Sequence, residues 1–147
     1  MSGISVSDEL LSLYEEVKLR DAHKYIKFSL VDTDGTRKTY DWSIDEKAEP
    51  NTDIAANKDA YEAMLASLPE DTACFVVFDF AFIQEDGRLT KKLVLIKWCP
   101  DAVHFRVKPV IGATYGTLKE KLTGLGADVQ ATDRDELEYE TVQKILS

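Results

Sequence analysis

Two stretches of the chain are apolar almost without interruption, and they set the reading of everything around them. Residues 73–82 read Ala-Cys-Phe-Val-Val-Phe-Asp-Phe-Ala-Phe, and residues 92–98 read Lys-Leu-Val-Leu-Ile-Lys-Trp. Runs of that kind, rich in β-branched and aromatic residues, predict central strands. A strand that is apolar at both parities has both faces covered, so helices are expected on each side of the sheet. Gln84-Glu85-Asp86-Gly87 is the turn between the two.

The flanking segments follow other periods. Residues 7–19 predict a helix: Ser7 is placed to cap it, Asp8 and Glu9 suit the positive end of its dipole, and Leu10, Leu13, Tyr14 and Val17 recur at helical spacing. Residues 24–31 alternate as a half-buried strand does, Asp32-Thr33-Asp34-Gly35 signals a hairpin turn, and 36–42 is the returning strand. Residues 43–56 carry Pro50, several acids and no period, and predict a loop. Asn57 is placed to cap a second helix through Tyr61, Met64, Leu65 and Leu68, stopped by Pro69. After Pro100, residues 102–111 are expected to be irregular, with Thr114 capping a third helix that carries Leu118 and Leu122 and has Gly124 just past its end. Residues 128–131 predict an edge strand and 138–146 a last short helix. The expected architecture is one α/β domain over residues 1–147: a central mixed β-sheet of five strands in the order αββαββαβα, with helices packed on both faces. Its core should include Val77, Phe78, Phe80, Val94, Ile96, Leu118 and Leu122.

Composition narrows the function. With 147 residues, 44% hydrophobic and 31% charged, the chain is long enough for a sizeable core and is not disordered in character. A formal charge of −9 makes nucleic acid a poor partner and disfavours anionic lipid, since both need a basic surface. No apolar stretch has the length of a membrane span, and Met1-Ser2-Gly3-Ile4 lacks the basic start and apolar run of a secretory signal. Cys74 and Cys99 stand in apolar surroundings without CxxC spacing, as buried free thiols of a cytoplasmic protein do.

Catalytic chemistry finds few residues to use. The two histidines, His23 and His104, sit in no nucleophile–base motif, and no His, Cys and carboxylate cluster has metal-ligand spacing. Asp32-Thr33-Asp34-Gly35 resembles the start of a calcium loop, but its closing glutamate would fall where Ser43 stands. No phosphate-binding glycine motif is present. A non-enzyme without cofactor or metal is expected.

From Phe75 onward the chain resembles the ADF/cofilin family in order, spacing and residue type. The signals are Val77-Phe78-Asp79-Phe80, the run Lys92 to Asp101, Leu118 to Leu122 and Asp128-Val129-Gln130-Ala131-Thr132-Asp133. Leu68-Pro69-Glu70 matches the family ahead of the central strand, and Ser2 to Asp8 is similar to amoebal, actophorin-like members. The resemblance implies the ADF-homology fold and a monomeric cytoplasmic protein of the actin cytoskeleton. Such a protein binds actin monomers and filaments and promotes depolymerisation and severing. Phosphoinositide binding is expected to be weak.

The family contacts actin through two surfaces. On the monomer side the resemblance implies Ser2, Gly3, Arg106, Lys108 and Lys119, with Ser2 as a phosphorylation site. The family's segment here reads Arg-x-Lys-Met-x-Tyr-Ala-Ser-Ser-Lys-Asp. This chain departs from it at Pro109, Ile111, Tyr115 and Gly116, and Glu120 reverses a charge. On the filament side it implies Lys92, with Arg88 and Lys91 near a family arginine that is Thr90 here, and Lys144 close to the C-terminus. The departures leave a second reading open, a coactosin-like or actin-related-complex binder with little depolymerising activity.

Overall fold

The computed structural model describes residues 3–51 and 53–147. Its elements are α1 (Asp8–Arg20), β1 (Tyr25–Asp32), β2 (Tyr40–Lys47), α2 (Ile54–Ala66), β3 (Cys74–Ile83), β4 (Leu89–Trp98), α3 (Lys108–Lys121), β5 (Ala127–Ala131) and α4 (Tyr139–Leu146). A 3₁₀ turn, Arg134–Leu137, opened by Asp133 as the sequence suggests, precedes α4. The element order is the expected one. The sheet runs β2-β1-β3-β4-β5, antiparallel throughout except for the parallel pair β4–β5.

β3 is buried at every position but Ile83. Successive strand side chains point to opposite faces, so its even and odd residues enter different cores. Val76, Phe78, Phe80 and Phe82 meet Tyr61 and Met64 of α2 and Tyr139 and Val142 of α4. Phe75 and Val77 meet Leu10, Tyr14 and Val17 of α1, Ile111 and Leu118 of α3, and Leu122 at its C-cap. All seven expected core residues are buried. Cys74 and Cys99 are buried free thiols, and desolvation raises the titration of both.

Three boundaries differ from expectation, each for a local reason. The returning strand starts at Tyr40, not residue 36, and runs through Lys47 into the segment expected as loop. The Asp32 carboxylate accepts from the N–H groups of Asp34, Gly35 and Arg37, which widens the turn and holds Arg37 at a φ of 60°. α2 is capped by Asp53, whose Oδ2 accepts from the Ala56 N–H, and not by Asn57. α3 begins six residues before Thr114, at Lys108, with Pro109 in its first turn. Proline at that position needs no N–H and already has the helical φ, so it starts the helix. Thr114 is buried mid-helix.

Asn57 does different work. β1 and β3 part company after the Tyr25–Phe78 pair, so the Ala81 N–H faces no neighbouring strand. The Asn57 Oδ1 accepts from that N–H at 2.8 Å, while its Nδ2 donates to the Tyr139 hydroxyl at 3.0 Å. One fully buried amide thus joins α2, β3 and α4. Asn57→Ala should cost about 2–4 kcal/mol, since it strands a buried N–H and hydroxyl and leaves a void. Denaturant titration checks this, and Asn57→Asp should be no better.

Candidate actin-binding surfaces

The monomer-side candidates converge on α3 from two directions. The N-terminal segment lies against the helix, with the Ile4 N–H donating to Thr114 Oγ1 at 3.0 Å. A Cβ on Gly3 would stand 2.6 Å from the Ala113 carbonyl oxygen and 2.7 Å from Thr117 Oγ1, so only glycine allows this approach. Ser2 lies outside the described residues. On the other flank Lys108 and Lys119 share a stripe with Tyr115, at positions i, i+11 and i+7. Lys108 Nζ donates to the Asp101 carbonyl at 3.0 Å, and Lys119 Nζ lies 4.8 Å from the Tyr115 ring centroid. Between the flanks the first turns of the helix are nearly bare: Pro109 is exposed, and a Cβ at Gly112 or Gly116 would meet nothing. Exposed Glu120, one turn on from Gly116, closes this face with a negative charge. Arg106 stands just ahead of the helix, exposed and outside any ion pair among the described residues.

Of the residues that depart from the family pattern, Pro109 and Gly116 lie on this outer face, and Ile111 and Tyr115 face inward. Ile111 is core, and Tyr115 is buried with its hydroxyl donating to Asp128 Oδ1 at 2.7 Å. Desolvation, with the Asp128 bond and charge adding to it, raises the Tyr115 hydroxyl well above its ordinary value. Tyr115 thus ties α3 to β5.

The filament-side candidates do not form one patch. Arg88 is exposed at the β3–β4 turn and pairs with Asp86 at 2.7 Å. Lys92 points to the α2/α4 face, where its Nζ donates to the Leu146 carbonyl at 2.7 Å, so it sits at the end of α4 near exposed Lys144. Lys91, one residue earlier in β4, points to the opposite face. There it pairs with Asp21 at 2.9 Å and with buried Asp79 at 3.8 Å. Desolvation raises the Asp79 carboxyl, against the pull of Lys91 and Lys24. Lys24 is 1% exposed and its Nζ has no hydrogen-bond partner among the described residues; it rests 5.5 Å from the Phe78 ring centroid.

A sheet flanked on both faces by helices, with an N-terminal segment laid on the third of them, is the architecture of actin-binding proteins of the cofilin type. Over residues 3–147 the chain matches the family described as cofilin/tropomyosin-type actin-binding protein, and it belongs to that family. It is 33% identical to a cofilin of Ogataea parapolymorpha, covering 99% of this chain and 94% of that one. It is also 33% identical to an actophorin of Entamoeba histolytica, over 97% of this chain and 94% of the other. The crystal structure of Plasmodium berghei actin depolymerization factor 2 shares the fold, with a TM-score of 0.81 at 20% identity over 99% of this chain and 98% of that one. Among the described residues no helix is long and apolar enough to cross a membrane.

The Lys24–Asp79–Lys91 cluster yields a test that needs no partner. Desolvation, partly offset by Asp79, lowers the Lys24 ammonium from 10.5 to about 8. Between those values the unfolded chain binds more protons than the folded one, so this group adds stability as pH rises from about 8. The stability difference between the native protein and Lys24→Met should therefore move in favour of the native protein by about 1–2 kcal/mol from pH 8 to pH 9.5. Urea midpoints of the two proteins at each pH measure it. A flat difference would show that Lys24 keeps its proton in the folded state throughout this range, so that burial does not lower its titration.

Proposed function

We propose that this protein binds actin monomers through the α3 surface, binds filaments through a second surface at the β3–β4 turn and the end of α4, and promotes filament disassembly. The observation that carries the reading is the bare outer face of α3, flanked by Gly3 on one side and Lys108 and Lys119 on the other, in a chain of this family. Such a face admits close approach of a partner. Close approach desolvates the few cations beside it and strengthens their attraction to an acidic surface.

Disassembly requires no bond chemistry in this protein. A ligand that binds one arrangement of neighbouring filament subunits better than another shifts the filament toward that arrangement, by no more than the difference in its two affinities. The boundary with bare filament is then the strained point. On this reading the protein works as a monomer in the cytoplasm, and its acidity keeps phosphoinositide binding weak.

The coactosin-like alternative differs at one surface, and charge reversal separates the two. Arg106→Glu/Lys108→Glu should weaken monomer binding about tenfold or more, and disassembly with it, because attraction becomes repulsion at a desolvating contact. Arg88→Glu/Lys144→Glu should weaken filament co-sedimentation while leaving monomer affinity in place. Filament binding that survives the first pair, with no monomer binding in the unaltered protein, would favour the alternative.

Ser2 precedes the glycine that packs on α3, so a phosphate there would bring roughly −1.5 to −2 charge to the edge of this contact. Ser2→Glu should lower monomer affinity in the same titration, with the loss shrinking as salt is raised. Unchanged affinity would remove Ser2 as a switch.

A further inference from the structure

Phe105 is 70% exposed, the most exposed of the large apolar side chains among the described residues and the one aromatic in that set. It is not a frayed residue. The turn that carries it is closed by the Val107 N–H donating to the His104 carbonyl at 2.9 Å, and it is rooted by buried Val103. The His104 ring stacks on Phe105 with centroids 4.7 Å apart and planes 22° apart. The Arg106 guanidinium stands 5.7 Å from the Phe105 centroid. The Arg106 N–H donates to His104 Nδ1 at 3.1 Å, which fixes both neighbours of the phenyl ring.

Beside this turn lies a cleft of about 220 Å³ whose other wall is the β1–β2 turn. Leu30, Val107 and Ile111 line it, with Arg37 and His104 on opposite sides and Asp71 contributing a negative charge. Asp32 also reaches it, but its carboxylate is taken up by three backbone N–H groups. Arg37 is exposed and forms no ion pair among the described residues. Desolvation and then the charges of Arg37 and Arg106 hold His104 below its ordinary value, in keeping with a neutral ring that accepts at Nδ1.

We infer that Phe105, braced by His104 and Arg106, with Arg37 in the cleft that His104 lines, is an apolar anchor of the actin contact, seated in a recess with an acidic rim on the actin subunit. The inference rests on the α3 reading above and extends that surface to an element, the β1–β2 turn, that the resemblance did not implicate. Continuity argues for actin as the occupant, since Phe105 and Arg106 lead directly into α3. So does need: with Pro109, Gly112 and Gly116 outward and Tyr115 buried, the helix itself offers no large apolar side chain there. A rigid aromatic beside an arginine is the kind of pair that dominates protein contacts.

The test is monomer-actin affinity of Phe105→Ala, Phe105→Leu and Arg37→Glu at low and high salt, with thermal midpoints and the Arg106→Glu/Lys108→Glu protein alongside. Phe105→Ala should lose about tenfold or more at both salt concentrations, with its midpoint unchanged, and Phe105→Leu should retain part of the affinity. Arg37→Glu should lose about threefold to tenfold at low salt and little at high salt. If the double reversal abolishes binding while Phe105→Ala and Arg37→Glu bind normally, the α3 reading stands and the anchor is overturned. If the unaltered protein binds no actin, or the double reversal changes nothing, the α3 reading itself falls. Loss of binding to phosphatidylinositol-bisphosphate vesicles by Phe105→Ala, with actin affinity intact, would overturn the anchor in favour of a lipid contact.

Discussion

β3 sends Val76, Phe78, Phe80 and Phe82 into one core and Phe75 and Val77 into the other, and each of the four helices is held by one of those two sets. A strand so placed has no face left for water, and any polar group it carries has to be satisfied from within. Two such demands arise at its C-terminal half. Asp79 continues the odd series toward the end of α1, where Lys91 and Lys24 balance it. The Ala81 N–H, beyond the reach of β1, takes Asn57 as its acceptor. The polar interior therefore follows from where β1 stops pairing.

The same alternation decides which cations are available to a partner. Lys91 and Lys92 are neighbours in sequence and stand on opposite faces, one bound to Asp21 and Asp79, the other to the Leu146 carbonyl. Arg134 is likewise committed, donating to the Leu65 and Leu68 carbonyls at the end of α2 and lying 5.5 Å from the Trp98 ring. These residues hold elements together, so losing one would register as lost stability as well as lost binding. The Arg106 and Arg37 side chains tie no helix or strand to another among the described residues, so a change there should leave stability in place.

Much of the fold was legible because the central strands are apolar at both parities and the helices flanking them are not. What escaped was set by position within an element. Pro109 reads as a breaker, yet in the first turn of α3 it starts the helix, which moved the cap seven residues, from Thr114 to Val107, and placed Thr114 inside. Asn57 stands before apolar residues at helical spacing, as a cap does, but its tie to Ala81 depends on β1 ending early, which no local pattern records. On the site, Gly3, Arg106, Lys108 and Lys119 do meet around α3, whereas Lys91 does not join Lys92. Strand period alone would have separated those two lysines. Arg37 and His104 lie more than sixty residues apart in sequence, and only the packed turns bring them to one cleft beside Phe105.

A chain of formal charge −9 that meets an acidic partner has to do so with few cations. Exposed charges at high dielectric attract weakly and are screened within about 8–10 Å at physiological salt. More lysines on an open surface would therefore add little per residue. The geometry around α3 offers a different route, a helix face made of Pro109, Gly112 and Gly116 that lets the partner's backbone come close. Close approach excludes water, and the same Arg106 then acts in a medium of lower dielectric where its attraction is several times larger. The exposed ring of Phe105 beside it adds apolar burial that salt does not weaken. An outer face of α3 with few charged side chains is on this account compatible with strong binding, provided the contact is tight enough to be dry.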